Sequence, residues 1–189
     1  MKDLISMANV RVPLVNMARP FLEKLSNLLR EDIFLGVLVG QNLLTLDQVE
    51  TSKELKVTAK PGTRLSIFAG AAGKIFLAYL DEKRLEEILA ATPLPSFTSN
   101  SITDPDDYKR DLKRVRDAGF AVDTGEYIAN CRAVAAPIFY GKKNRMRMVA
   151  GFWLVSLDWQ HSSVDLETIQ RLTVETGQEI SHAISNGYA

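Results

Sequence analysis

The sequence predicts an α+β fold in which helices flank an antiparallel sheet. Apolar residues recur at helical spacing near both ends of the chain, and β-rich runs separated by short polar turns lie between them. The strands are joined by hairpins and helical excursions rather than by a regular strand–helix alternation. Such an arrangement is typical of α+β proteins.

The first predicted element is a helix over residues 13–30. Its apolar residues at helical spacing are Leu14, Ala18, Phe21, Leu22, Leu25 and Leu29. Pro20 is expected to open or bend this helix, because proline lacks the amide hydrogen of an interior position. Residues 1–30 are therefore interpreted as a helical linker segment that packs on a larger domain formed by residues 31–189.

Two predicted hairpins supply most of the sheet. The first joins residues 33–39 to residues 43–46, and the second joins residues 132–140 to residues 146–157. A short apolar segment at 65–68 follows the first hairpin. The turn signals are Gly40-Gln41-Asn42, Lys60-Pro61-Gly62 and Gly141-Lys142-Lys143-Asn144.

Three helices are predicted between the hairpins. Small residues at 69–73 open a helix over 74–80, and a charged helix follows at 82–91. After an exposed loop from Thr92 to Thr103, a further helix begins with Asp104 as its cap and ends at Gly119. Pro105 occupies the first helical position, and Tyr108, Leu112 and Val115 form the buried stripe.

The last predicted helix runs from about residue 165 to residue 186. Ser162 and Asp165 suit its capping box. Its inner face is formed by Leu166, Ile169, Leu172, Ile180 and Ile184.

Charge and composition limit the class of protein. The 23 basic and 23 acidic residues balance, which argues against binding of nucleic acid by this chain alone. One cysteine cannot form an internal disulfide, which fits a reducing compartment. The chain has neither a membrane-length apolar run nor a signal-peptide pattern, so we expect a cytoplasmic protein with no membrane partner.

Motifs for catalysis and metal binding are absent from the sequence. It contains neither G-x-S-x-G nor H-E-x-x-H, and His161 and His182 are expected to be a loop residue and a helix-surface residue. Cys131 has no activating neighbour in sequence and is interpreted as a structural thiol. We expect no metal, no cofactor and no enzymatic activity; an enzyme that uses Cys131, Asp123 or Glu126 is the alternative.

The segment Gly70-Ala71-Ala72-Gly73-Lys74 allows two interpretations. It resembles half of a phosphate-binding loop, but Ile75 follows the lysine where that loop needs Ser or Thr. Small residues at a helix start expose backbone amides that favour an anion, and they also allow the helix to pack closely on a sheet. The residues alone leave both interpretations open.

Several segments, in order and at matching spacing, resemble the effector domain of the IclR-type bacterial transcription regulators. They are Gly73-Lys74-Ile75-Phe76-Leu77-Ala78, the loop Thr98–Thr103 with Asp104, Leu112-x-x-Val115-Arg116-x-x-Gly119-Phe120-Ala121-Val122-Asp123, Glu126 and Arg132-Ala133-Val134-Ala135-Ala136-Pro137-Ile138. The resemblance extends from about Leu14 to Ile184. It implies a GAF/profilin-like sensor of small molecules that forms a homodimer or homotetramer. It also implies an attached winged helix-turn-helix domain, absent from this chain, as the only route to DNA.

The same resemblance implies a ligand pocket. Carried over position by position, its residues are Leu65, Ala71, Ala72, Asp123, Cys131, Ala133, Trp153 and Val155. Two of them depart from the family pattern, because many members have a cysteine at Ala133 and a small polar residue at Trp153. Trp153 and Val155 share one strand face, since side chains alternate along a strand. We therefore expect a carboxylate effector of aromatic or apolar character, with core filling as the alternative role of Trp153.

The implied mechanism is allosteric rather than catalytic. A bound effector changes the relative stability of two arrangements of the domain, and residues 92–103 are the expected lid. The helix at 13–30 is expected to carry the signal to the DNA-binding part. A stand-alone GAF-like binding module is the alternative function.

Overall fold

The computed structural model describes residues 2–54, 56–141, 146–157 and 164–187. Within these residues, five helices and a six-stranded sheet confirm the predicted α+β class. The helices are α1 (Lys2–Leu29), α2 (Gly70–Ala78), α3 (Glu82–Ala91), α4 (Pro105–Ala118) and α5 (Leu166–Gly187). The strands are β1 (Asp32–Val39), β2 (Asn42–Val49), β3 (Arg64–Ser66), β4 (Ala121–Thr124), β5 (Arg132–Tyr140) and β6 (Arg147–Ser156).

The sheet has the order β3-β2-β1-β6-β5-β4, and all of its neighbouring strands are antiparallel. Both predicted hairpins are confirmed, as β1–β2 and β5–β6. The pairing of β1 with β6 joins them into one sheet, although more than a hundred residues separate these strands in sequence. This pairing brings α1 and α5, which flank these strands in sequence, onto the same face of the sheet.

Side-chain alternation along β6 divides the interior into two cores. Phe152 and Leu154 point to the face that α1 and α5 cover, whereas Trp153 and Val155 point to the face that carries α2 and α4. The predicted shared face of Trp153 and Val155 is thereby confirmed. One sheet therefore supports a helical layer on one side and the candidate site on the other.

Helix α1 begins at Lys2 rather than near residue 13, and Pro20 lies inside it. Of the two roles expected for Pro20, opening the helix is therefore wrong, and bending it stays a prediction. The cost of Pro20, one lost backbone hydrogen bond, is offset by the apolar stripe that α1 buries against α5 and the sheet. The buried members of that stripe are Leu14, Ala18, Leu22, Leu25 and Leu29.

The ends of α4 and the start of α5 follow the sequence signals. The Asp104 carboxylate accepts hydrogen bonds from the amides of Asp106 and Asp107, and Gly119 ends α4 in the left-handed conformation. Asp165 accepts a hydrogen bond from the Thr168 amide and so caps α5. Ser162, the other predicted capping residue, lies outside the described residues.

Other boundaries differ from prediction. Helix α2 begins at Gly70 instead of Lys74, because the small residues belong to its first turn. Strand β2 continues to Val49, and β3 begins one residue earlier than the predicted apolar segment. Residues 142–145, which include most of the turn predicted at Gly141-Lys142-Lys143-Asn144, are outside the described residues. No helix in the described part of the chain has the length and apolar character to cross a bilayer.

Candidate functional site

A cavity of about 240 Å³ lies between the sheet and the first turn of α2. All eight residues predicted for the pocket line it: Leu65, Ala71, Ala72, Asp123, Cys131, Ala133, Trp153 and Val155. Strand pairing explains part of this convergence, because Ala133 of β5 lies opposite Asp123 on one side and Val155 on the other. The volume is just below the ~300–1,000 Å³ common for drug-sized ligands, so it suits one small molecule.

Eight further lining residues were not predicted. They are Phe34, Val57, Thr58, Ala59, Thr63, Ala69, Tyr127 and Ile128. Phe34 reaches the cavity through the pairing of β1 with β6, for which no local sequence signal exists. Tyr127 and Ile128 belong to the loop that joins β4 to β5, residues 125–130, named here the hairpin loop.

An aromatic pair forms the floor of the cavity. The rings of Phe34 and Trp153 stack with centroids 5.9 Å apart and planes inclined by 18°. Gly36, on the strand beside Trp153, leaves room for the indole, because a Cβ there would lie 2.7 Å from its Cη2 atom. The floor therefore offers a flat apolar surface to a ligand.

The first turn of α2 forms the opposite wall. No side chain caps this helix, and the amides at its second and third positions, Ala71 and Ala72, have no partner within an α-helix. Gly73 serves a different purpose: a Cβ there would overlap with the carbonyl oxygen of Ile67. The close approach of Ile67 to Gly73 supports the packing interpretation of the small-residue segment, and the uncapped amides at Ala71 and Ala72 leave the anion-binding interpretation as a prediction.

Asp123 is the acidic residue of the cavity, and only 5% of it is exposed. Its Oδ1 atom accepts a hydrogen bond of 2.6 Å from the Glu126 amide, and Oδ2 accepts a longer one of 3.3 Å from the Tyr127 amide. A Cβ on Gly70 would overlap with Oδ2, so the carboxylate lies directly against the start of α2. Burial raises the pKa of Asp123, and the Glu126 amide and the Lys74 charge lower it in part.

Lys74 lies behind the cavity rather than in it. Its ammonium group contacts Glu126 Oε1 at 2.6 Å, Asp111 Oδ2 at 2.8 Å and the Val122 carbonyl at 3.2 Å. The side chain is 3% exposed and uses all three of its donors on these partners. This buried ion cluster ties α2 to α4 and to the hairpin loop.

Cys131 is a buried thiol that faces the cavity. Burial, together with the neighbouring charges of Asp123 and Glu31, raises its pKa to about 11. A thiol in this state is protonated near neutral pH and is a poor nucleophile. Its environment is that of a structural cysteine.

The segment between β2 and β3, residues 50–63, borders the cavity through Val57, Thr58, Ala59 and Thr63. We name it the β2–β3 segment. The Asp32 carboxylate accepts hydrogen bonds from the Thr51 and Val57 amides. The Gln48 side chain donates to the Val57 carbonyl and accepts from the Ala59 amide. Two side chains of the sheet thus hold the segment at the cavity.

The predicted lid lies elsewhere. No residue from Thr92 to Thr103, all of them described, lines the cavity. That loop instead packs behind the hairpin loop: the Thr98 hydroxyl donates to the Gly125 carbonyl at 2.6 Å, the Ser101 hydroxyl donates to the Glu126 carbonyl at 2.7 Å, and the Phe97 ring meets Tyr127 edge-on. The predicted position of the lid is therefore wrong, because these hydrogen bonds direct the loop to the back of the hairpin loop.

Two other predicted features have different outcomes. His182 is exposed on α5 next to Asn186, as predicted, while His161 lies outside the described residues. Among the described residues, no three side chains of His, Cys, Asp or Glu converge on a metal position.

A larger and more open groove of about 610 Å³ lies between α5 and β5, but it contains none of the predicted pocket residues.

Comparison with known proteins identifies relatives over most of the chain. The family model described as the bacterial transcriptional regulator IclR C-terminal region matches residues 7–184. The HTH-type transcriptional regulator BhcR of Paracoccus denitrificans is 31% identical over 175 residues, which are 93% of this chain and 62% of that protein. The repressor AllR of Escherichia coli K12 is 29% identical over 125 residues, 66% of this chain and 46% of its own length. This chain thus spans about half to two thirds of the length of these two proteins. One is named as a transcriptional regulator and the other as a transcriptional repressor.

Solved structures agree with the fold. A transcriptional regulator from Rhodococcus sp. RHA1 superposes with a TM-score of 0.83 at 28% identity, over 92% of this chain and 70% of that one. An IclR homologue from Microbacterium hydrocarbonoxydans, complexed with 4-hydroxybenzoate, superposes with a TM-score of 0.80 at 22% identity, over 94% and 70% of the two chains. Since the family model covers most of the residues, this chain belongs to the IclR family of bacterial transcriptional regulators, in the C-terminal region that the model describes.

Proposed function

We propose that this chain is the effector-sensing part of an IclR-type regulator and that its cavity binds one small carboxylate with an aromatic or apolar body. The observation that carries the proposal is the pairing of two unlike walls in one cavity. The amides of Ala71 and Ala72 offer hydrogen-bond donors at the positive end of a helix dipole. The stacked rings of Phe34 and Trp153 offer the apolar surface on the other side.

The size and lining of the cavity favour a ring over a two-carbon acid. Its volume of about 240 Å³ equals roughly eight water molecules at ~30 Å³ each. Leu65 and Val155 add aliphatic surface beside the aromatic floor. A ligand as small as glyoxylate leaves most of this apolar wall in contact with water. The 4-hydroxybenzoate bound to the Microbacterium homologue makes that compound a suitable probe.

Binding is tested by the fluorescence of Trp153. The chain has two tryptophans, so Trp159→Phe leaves Trp153 as the only indole. Titration of this variant with 4-hydroxybenzoate or benzoate should give a saturable fluorescence change, since the ligand would stack next to the indole. At a hundredfold excess over Kd, the ligand should also add about 2.7 kcal/mol to the free energy of unfolding. Glyoxylate and aliphatic carboxylates complete the panel.

Two variants locate the binding site. Ala72→Leu places a bulky side chain in the cavity and should abolish the fluorescence change. Ala129→Leu, an exposed position of the hairpin loop that does not line the cavity, is the matched control and should bind as the parent does. Binding that survives Ala72→Leu would place the ligand elsewhere. A preference for glyoxylate over the aromatic acids would refute the apolar character proposed for the effector.

We infer that effector binding is coupled to a DNA-binding part and that the regulator acts as an oligomer. A ligand shifts an equilibrium between two arrangements only by its difference in affinity for them. Strand β6 supplies Trp153 to the cavity and Phe152 to the core under α1. A shift of β6 would therefore be felt by α1, the proposed connection to the DNA-binding part. The test is operator binding by the complete regulator with and without the effector; equal affinities in both states would refute the coupling.

A further inference from the structure

Asp123 raises a problem for a carboxylate effector that binds in this cavity. Its own carboxylate already lies against Gly70 at the start of α2, the same helix end to which the proposed effector carboxylate would bind. Two carboxylates that share one buried site repel each other, and one of them then tends to keep a proton. The position of Asp123 therefore determines how an acid can bind here.

Other charges near the cavity do not remove this repulsion. Lys74 is the one buried cation of the cluster, and its three donors are used by Glu126, Asp111 and the Val122 carbonyl. With Asp123 included, the cluster has one positive and three negative formal charges. The titratable groups around Asp123 come from α2, α4, the hairpin loop and the residue just before β5. They are Lys74, Tyr108, Asp111, Glu126, Tyr127 and Cys131. None of them supplies a second positive charge.

We propose that a carboxylate effector binds to this cavity together with one proton, which Asp123 takes up from the solvent. This inference rests on the proposed function, because it concerns the same cavity and the same class of ligand. The proton binds to Oδ2, whose hydrogen bond of 3.3 Å from the Tyr127 amide is the weaker of the two. The protonated carboxyl group then replaces a repulsive contact by a hydrogen-bond donor for the effector.

The expected pH dependence has a definite sign. Burial already raises the pKa of Asp123 in the free protein, and a second carboxylate in the site raises it further. The effector then binds most tightly at pH values below the pKa of Asp123 in the free protein. Its affinity falls as the pH rises from this value to the higher pKa of Asp123 in the complex. Between these two values, Kd should increase by up to about tenfold per pH unit, as expected for uptake of one proton.

The experiment is calorimetric titration of the 189-residue chain with benzoate between about pH 5 and pH 8. Repeating the titration in two buffers of different ionisation enthalpy gives the number of protons taken up, and a value near one is expected. Benzamide, which has the same ring but no charge, should bind without proton uptake. This measurement on the unmodified protein does not depend on any variant that might fold poorly.

Two substitutions test whether Asp123 is the proton acceptor. Asp123→Asn keeps an acceptor for the Glu126 amide but cannot ionise, so its Kd for benzoate should be independent of pH. Asp47→Asn is the matched control: Asp47 is a buried carboxylate paired with Arg19 of α1, away from the cavity, and its variant should retain the pH slope.

The outcomes separate this inference from the proposed function. Saturable binding of benzoate without proton uptake, or a pH slope that persists in Asp123→Asn, would overturn the inference and leave the carboxylate site intact. If no carboxylate in the panel, including glyoxylate, binds at any pH, the proposed function fails and the inference with it. Proton uptake that disappears only in Asp123→Asn supports both.

Discussion

At the scale of single residues, Gly36 and Trp153 depend on each other. A Cβ at position 36 would lie 2.7 Å from Trp153 Cη2 and 2.9 Å from the Leu44 carbonyl oxygen. Gly36→Ala should therefore lower the free energy of unfolding by about 1–3 kcal/mol, the usual cost of overpacking. Urea unfolding measures the loss. Trp153→Phe shortens the ring system at this contact. The double variant should therefore lose less free energy of unfolding than the two single variants lose in sum. If the two losses add strictly, the indole is not the obstacle to a Cβ at position 36.

Cys131 provides a second test at this scale. With a pKa of about 11, roughly one thiol in a thousand is ionised at pH 8, against about one in four for an unperturbed cysteine. Alkylation of the folded chain by iodoacetamide should therefore be more than about a hundredfold slower than alkylation in urea. Because the chain has a single cysteine, mass spectrometry follows this reaction without ambiguity. Rapid alkylation of the folded chain would return Cys131 to the role of a candidate nucleophile.

The sequence predicted part of the cavity at residue level. Resemblance placed eight residues in the pocket, and all eight line one cavity. Phe34 was beyond prediction because its position depends on β1 pairing with β6, a contact between distant parts of the chain. The sequence also could not predict that the Asp123 carboxylate would repel a bound acid. Its position depends on the close approach of Gly70, which belongs to α2, to Asp123 of β4. Whether these residues bind a ligand remains a prediction.

At the scale of elements, the β2–β3 segment depends on polar side chains of the sheet. Asp32→Asn leaves one acceptor for the two amides of Thr51 and Val57, and the loss of a charged buried acceptor should cost about 1–3 kcal/mol. We expect these two amides to exchange hydrogen faster in the variant, and benzoate to bind more weakly. Hydrogen exchange followed by mass spectrometry or NMR measures the effect.

The control for this prediction lies on a different element. Asp104→Ala removes the cap of α4, which should cost about 1 kcal/mol without changing exchange in the β2–β3 segment. Unchanged exchange at Thr51 and Val57 in Asp32→Asn would show that the carboxylate does not hold the segment. The amides would then be protected by other contacts.

Elements with local signals were predicted well, and those without them were not. Asp104, Pro105 and Gly119 mark the ends of α4 by short-range capping chemistry, and the structure confirms both ends. Helix α2 was placed too late because glycine disfavours a helix locally, whereas tertiary packing against Ile67 requires Gly73. The lid was misplaced for the same reason, because hydrogen bonds to the hairpin loop determine its position.

At the scale of the whole molecule, one sheet joins two cores. The core under α1 and α5 contains Leu22, and the core under α2 and α4 contains Leu77; both side chains are fully buried. Strands β1, β6 and β5 contribute residues to both cores, so we expect the two cores to unfold together. The α+β class predicted from the sequence includes the sheet and its flanking helices. That two cores share the central strands could be seen only from the strand order in the structure.

This shared sheet predicts a single unfolding transition. Leu22→Ala and Leu77→Ala should each cost about 2–5 kcal/mol, and together they should cost the sum to within ~0.5 kcal/mol. In the Trp159→Phe background, Trp153 fluorescence reports the cavity side and far-UV circular dichroism reports all helices. Leu22→Ala acts from the opposite face, yet it should shift both urea transitions equally and leave the m-value unchanged. If Leu22→Ala moved the dichroism transition but not the Trp153 transition, α1 and α5 would unfold separately from the cavity, and a signal from the effector could not reach α1 through the sheet.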